Sequence, residues 1–314
     1  MIAAARVTLK QHRFEVGMAA LAALVLGMAA LFVEYELKAV DVPRGCFDAR
    51  LATGPSGAGD CAGPIQAWGS ILADQGVRII AAMAYVPFAV GLLGGVPIVG
   101  RELESRTAQT AWSLNGSRLR WLIRQIAPVL MFLGLAVTFA ALASDAVEAD
   151  RAVWGQSPFL DIGLHGPPVV ARAFGAFGLG LLLGALLGRT LPAFVFGAIL
   201  LLALVYQVGV ARNAWLNMQH PVVIEDASTA VQTGWAWLTP QGTQVTDLQA
   251  KAQVPAGMSH PETWLADHGY RLVALGVTEE VAMGWALYDA LGFSLVGSAS
   301  LGATMVVVNR RRPT

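Results

Sequence analysis

Long apolar runs separated by short polar stretches dominate the chain, and six of them are long enough to cross a hydrocarbon core. Such a core is about 30 Å thick and takes roughly 20 helical residues. The runs lie near 16–34, 78–100, 124–144, 168–188, 190–211 and 285–308. They predict an all-α membrane protein, a six-transmembrane-helix bundle with both termini on one side. The fourth run carries Arg172 near its start, close enough to the boundary for its guanidinium to snorkel into the interface. The sixth is diluted by Asp289, Ser294, Ser298 and Ser300. In the second, Pro87, Gly94, Gly95 and Pro97 predict a loosened or kinked helix.

Composition agrees with this pattern. Hydrophobic residues make up 55% of the chain and charged ones only 13%, with a mean hydropathy of +0.57. A surface built from such a chain needs lipid as part of its solvent. The formal net charge of zero gives no reason to expect nucleic acid as a partner.

The placement of the basic residues orients the bundle. Arg6, Lys10 and Arg13 precede the first run, and Arg101, Arg106, Arg118, Arg120 and Arg124 fill the second connection. Arg189 sits in the fourth, and Arg310, Arg311 and Arg312 follow the last run. Only Glu15, Glu102 and Glu104 share that side with them, so it is assigned to the cytoplasm. Three lysines against eighteen arginines hint at a bacterial genome, and the chain is expected in a bacterial plasma (inner) membrane. The first run is too long for a signal-peptide core and no small-x-small site follows, so it reads as an uncleaved span. Residues 1–15 read either as an interfacial helix, with Arg6, Lys10 and Arg13 on one face beside Val7 and Phe14, or as a topology signal alone.

Two sizeable segments then fall outside. Segment 35–77 holds the only cysteines, Cys46 and Cys61, across a turn-rich stretch. In an oxidising compartment they read as a disulfide rather than two free thiols, closing a loop worth about 3 kcal/mol. Segment 212–284 is too long for a simple connection. It carries Trp215, Trp235, Trp237 and Trp264, and Ser259 with Glu262 resembles a capping box, with Pro261 in the first turn, that predicts a helix over 260–272. The segment is either a structural cap or a lid over an exit. The chain therefore divides into 1–15, a membrane region 16–211, the external segment 212–284, and a last span with a basic tail over 285–314.

No catalytic constellation emerges. There is no phosphate-binding loop around Lys10, Lys38 or Lys251, and none of His12, His165, His220, His260 and His268 lies within a predicted span. Asp161, His165, His220, His260 and His268 could meet outside but read as solvated surface, and no metal site or resident cofactor is expected. Gly180, Gly184 and Gly188 form a small-residue ladder in the fourth span, and Ser294, Ser298 and Gly302 another in the sixth. Such ladders allow close helix approach, here within one subunit in preference to a dimer seam. Asp289 is the acid nearest the bilayer interior. It is a candidate for the substrate path, together with Tyr85 and Thr138, or for an interfacial hydrogen bond.

The most informative stretch is 101–125, a charged amphipathic insert between two apolar runs. An acidic pair, Glu102 and Glu104, precedes Thr107; Ala111 and Trp112 follow; then Ser117 and Arg118 lead to Trp121 and the next span. This pattern resembles the cytoplasmic loop of ABC-2 type transporter permeases, the membrane half of ATP-binding cassette exporters. One departure is Arg106, where that family often has Gly before the Thr. The resemblance implies a coupling helix over 102–114. Its polar face, Glu102, Arg106, Gln109 and Ser113, would meet an ATPase, while Leu103, Thr107, Ala108, Ala111 and Trp112 would face the bundle. The ATPase-coupling set is Glu102, Glu104, Arg106, Thr107, Gln109, Trp112, Ser117 and Arg118. As first-turn residues, the two acids would each favour the helix dipole by about 0.3–1 kcal/mol. A simple interfacial anchor helix is the alternative.

The resemblance further implies separate ATPase subunits holding ATP and Mg, a second permease copy or a related permease, and alternating access that moves an amphipathic or hydrophobic cargo outward. A drug, an antibiotic peptide or a lipid-like molecule fits that description. The rival classes are a non-transporting scaffold or sensor subunit and an ATP-independent carrier.

Overall fold

The computed structural model describes residues 8–42, 46, 61–108, 112, 117–153, 163–219, 222–223, 230–255 and 261–311. Six helical stretches in it are long and apolar enough to span a membrane: Arg13–Ala39, Ala62–Glu104, Arg118–Ala149, Pro167–Leu187, Thr190–Leu216 and Glu280–Arg310. The chain is a multi-pass membrane protein. Each stretch covers a run expected from the hydropathy pattern to within one residue.

The first helix, α1 (Arg13–Ala39), grows without a break from helical residues at 8–11, because His12 N donates to Thr8 O and Val16 N to His12 O. The second span begins earlier than expected. It is built from α2 (Ala62–Ile71), a π-helical turn (Leu72–Gly76), α3 (Val77–Met83) and α4 (Val86–Glu104). The connection expected over 35–77 is therefore helical from Ala62 onward, and Cys46 and Cys61 close it as a disulfide with Cα atoms 5.5 Å apart. The break in this span falls at Ala84–Tyr85, where Pro87 starts a fresh helix, while Pro97 sits inside α4 without ending it.

Helices α5 (Arg118–Val153), α6 (Pro167–Leu187), α7 (Thr190–Met218) and α10 (Glu279–Arg310) complete the bundle. The most buried of these spans is α6, which lies between α4 and α10. Glycines create both contacts. A Cβ at Gly184 would stand 2.6 Å from Val96 O, and one at Gly178 would stand 2.6 Å from Gly297 O. The ladder of the fourth span thus packs inside this chain. The ladder of the sixth does not: Ser298 and Gly302 are exposed, and α10 meets α6 through Phe293 and Gly297 instead. By contrast, α7 is the most exposed span and presents Leu191, Phe196, Ile199 and Leu202 outward, a surface that only lipid or another apolar partner tolerates.

Between α7 and α10 the structure departs from an all-α protein. A four-stranded antiparallel sheet forms there in the order β1-β4-β2-β3, from β1 (Val222–Val223), β2 (Ala230–Leu238), β3 (Gln244–Val245) and β4 (Arg271–Thr278). Two short helices, α8 (Asp247–Lys251) and α9 (Pro261–Asp267), pack on it around Trp237, Ala250 and Leu265. The helix expected over 260–272 stops at Asp267. Gly269 takes φ +80° and Tyr270 N donates back to Leu265 O, a glycine-based stop after which the chain enters β4. Ser259, the expected cap, lies outside the described residues. The cap that does form is Thr246 on α8, whose hydroxyl accepts from Gln249 N while the Gln249 side chain accepts from Thr246 N. Of the four tryptophans, Trp215 packs on Trp285 at 5.6 Å, Trp264 stacks on His268 at 3.7 Å, Trp237 is buried and Trp235 is exposed.

Candidate functional site

Two places gather polar side chains against the bundle. The first is the elbow between α4 and α5, at the end that also holds the starts of α1 and α7 and the close of α10. It is called the basic end below, opposite the sheet end. Here the described residues of the expected 102–114 helix take a different geometry. Helix α4 continues through Glu104, and Arg106 takes φ +60°, a left-handed conformation that ends it. Helical backbone resumes at Thr107–Ala108 and at Trp112. Gln109, Ala111, Ser113 and Leu114 lie outside the described residues.

Glu102 and Glu104 consequently close a helix instead of opening one, where the dipole opposes a negative charge. Each carboxylate is offset by donors from elsewhere in the fold. Glu102 is only 5% exposed and accepts from Gln11 Nε2 and, at 2.6 Å, from Thr107 Oγ1. It does not form the solvent-facing surface expected of it. Glu104 is exposed and caps the first turn of α7, accepting from Thr190 N at 3.0 Å and Thr190 Oγ1 at 2.7 Å. Beside them Arg101 pairs with Glu15 at 2.9 Å.

On the far side of the elbow, Trp112 is buried, edge-on to Trp121 at 6.0 Å, with the Arg118 guanidinium 4.7 Å from its ring centre. Arg118 Nη1 also donates to the carbonyls of Val308, Asn309 and Arg311, which the end of α10 leaves without helical partners. Ser117 Oγ accepts from Arg120 N. Of the expected coupling set, Glu102, Glu104 and Arg118 thus tie the elbow to residue 11 before α1, to α7 and to α10, and Trp112 packs on α5. Arg106 stands exposed at its apex.

His12 lies within the same cluster. It is fully buried, and neither ring nitrogen has a hydrogen-bond partner among the described residues. Burial, outweighing the nearby carboxylates of Glu15 and Glu102, holds its imidazole below the ordinary 6.5. Sequence reasoning missed this histidine, together with Gln11 and Thr190.

The second place is inside the bundle. Arg172 is 5% exposed and does not snorkel; its Nε and Nη2 both reach Asp289 Oδ2 at 2.9 Å. Phe293 covers the guanidinium at 5.9 Å. Gly163, at φ +88°, closes over the pair: a Cβ there would stand 2.6 Å from Arg172 Nη2 and 2.8 Å from Asp289 Oδ2. A side chain at residue 163 would displace one of the two charges.

Next to this pair, between α4, α5, α6 and α10, runs a cleft of about 650 Å³. Its walls are almost wholly apolar, among them Val90, Leu133, Val137, Phe174 and Phe177. Thr138 lines it but turns its hydroxyl to Gly134 O at 2.8 Å. Asp289 borders a separate hollow of about 230 Å³ with Trp285 and Gly292. Tyr85 is exposed at the break between α3 and α4. The three expected path residues therefore do not meet in one site.

The arrangement is a membrane bundle with a braced polar elbow and an apolar interior cleft. No curated protein and no solved structure matches the chain. A family profile does match, over residues 16–217, which takes in the first five spans and the elbow. The chain belongs to the ABC-2 membrane transporter related family.

Proposed function

We propose that this chain is the permease subunit of an ATP-driven exporter. Family membership and six apolar helices make it a membrane transporter subunit. The outward direction, the cargo and the ATPase contact are the proposal. In this reading the basic end is cytoplasmic, and separate ATPase subunits, binding ATP and Mg, press on the elbow. A second permease copy completes the translocation path, and an amphipathic or hydrophobic cargo crosses by alternating access.

The bracing of the elbow supports this reading best. Glu102, Glu104 and Arg118 fasten it to residue 11 before α1, to the first turn of α7 and to the last turn of α10. A push at Arg106 therefore reaches the start of α1 through Glu102 and the first turn of α7 through Glu104. Coupling of this kind needs packed elements that move as units.

The test is copurification of an ATPase with the chain, followed by ATP-dependent accumulation of a lipophilic dye in inside-out vesicles. Arg106→Glu should weaken both at equal membrane levels. ATPase binding without any transport would favour the scaffold or sensor subunit. Transport driven by an ion gradient and indifferent to ATP would establish the carrier.

A further inference from the structure

The cleft has a chemical polarity along its length. Its α5 wall recurs at alternating steps of three residues and one, from Leu130 and Leu133 through Val137 and Thr138 to Ala141 and Leu142. That is a single helical stripe. The next step of three lands on Asp145, nearer the sheet end. Its carboxylate packs against the cleft-lining Gly166, where a Cβ would stand 3.0 Å from Asp145 Oδ1. His165 Nδ1 meets the same oxygen at 2.7 Å, and the Asp145 side chain keeps 41% of its surface exposed.

An apolar chamber with an acidic mouth selects for an apolar body bearing a positive charge. We infer that the cleft binds a lipophilic cation, its hydrocarbon body against Val137, Phe174 and Phe177 and its charge at Asp145. The volume falls within the range of small-molecule sites, about 300–1,000 Å³. A cation between the apolar walls and the Asp145 carboxylate gains an ionic contact that solvent only partly screens. An anion of the same shape meets repulsion there. The inference deepens the exporter reading by naming the class of cargo.

The experiment uses the full chain in lipid nanodiscs, without ATP or ATPase. Equilibrium binding of tetraphenylphosphonium is compared with that of tetraphenylborate, an anion of the same shape, after subtraction of empty discs. Saturable binding of the cation alone is expected. Asp145→Asn should weaken it by about tenfold, the scale of a lost ionic contact. Gly134→Leu should abolish it, because Gly134 lines the cleft and nothing lies within 4 Å of a Cβ there, so the new side chain fills space without a clash. Both variants should elute like the parent.

Equal binding of both ions, or a cation affinity unchanged in Asp145→Asn, would overturn the inference and assign the cleft to uncharged acyl chains. Loss of self-association in Gly134→Leu with cation binding intact would assign it to a second copy of this chain. Because no ATPase is present, a negative result leaves the exporter reading standing. Failure to copurify an ATPase would likewise leave a positive binding result standing.

Discussion

Arg172 and Asp289 meet at 2.9 Å in the interior, although 117 residues separate them in the chain. Asp289 lies ten residues into α10, about 15 Å along its axis, and both side chains are nearly inaccessible. Either charge alone would be costly at that depth, and together they neutralise one another. The contact depends on the close approach of α6 to α10 at Gly178 and Gly297, which sets the register of the two helices.

Breaking this pair from one side should be far worse than removing it. Asp289→Ala leaves a buried guanidinium unpaired and is expected to cost about 3–5 kcal/mol. The double change Arg172→Met with Asp289→Leu should recover most of that loss. Thermal melting of the purified protein in detergent checks both, and additive single and double effects would show that the two residues do not stabilise each other.

Glu102→Arg is expected to destabilise the fold. An exposed acid would tolerate the change, but Glu102 is buried among Gln11, Thr107 and the end of α4. Reversal leaves a buried cation facing donors. Glu102→Gln retains an acceptor oxygen and should cost only about 1–2 kcal/mol. Folded yield after membrane extraction separates the two. Equal yields would place this side chain in solvent.

His12 gives the elbow a pH dependence with a definite sign. Its folded-state pKa lies below the ordinary 6.5, so the unfolded chain takes up a proton first as pH falls. The native contribution is complete above about pH 6.5. It is lost as pH drops from there through the folded value, and it levels off below that. Unfolding midpoints at pH 8 and pH 5 should differ more in the parent than in His12→Leu. An identical pH slope in the two proteins would remove His12 as the source.

Much of the bundle is legible in the sequence because run length alone identifies a span. The disulfide follows from two cysteines and a compartment. The sheet is harder to see: β2 carries Thr233, Trp235 and Trp237 at alternate positions and β4 reads Leu272-Val273-Ala274-Leu275, yet aromatics beside a span serve equally as a small core or as anchors at the headgroup level. The end of α9 was written in His268-Gly269, a stop that the apparent capping box at Ser259 overshadowed. Inside the bundle the limit is different. A chain records that Arg172 and Asp289 are costly, but it does not record which faces of α6 and α10 the glycines bring together. At the elbow, the acids at 102 and 104 were identified as important, with the wrong end of a helix assigned to them.

The disulfide should be found intact. Non-reducing peptide mapping is expected to join the peptides holding Cys46 and Cys61. Reduction should lower stability by about 3 kcal/mol through release of the loop. Alkylation of both thiols without reductant would contradict the pairing.

The exposed Arg106 offers the sharpest division between fold and coupling. A non-glycine residue at φ +60° bears a cost of about 1–2 kcal/mol that glycine avoids. Glycine also loses more chain entropy on folding, about 0.5–1 kcal/mol. Arg106→Gly should therefore leave stability unchanged or raise it by up to about 1.5 kcal/mol. A position that suits glycine yet keeps an exposed arginine points to a use for the guanidinium, and an acidic ATPase surface is the use that the exporter reading supplies. Arg106→Gly should then weaken ATPase association by about fivefold or more at equal or better melting temperature, and Arg106→Lys should recover part of it. Pull-down of the ATPase and thermal melting are measured on the same preparations. Unchanged association in Arg106→Gly would remove this side chain from the contact, whatever the melting temperature does.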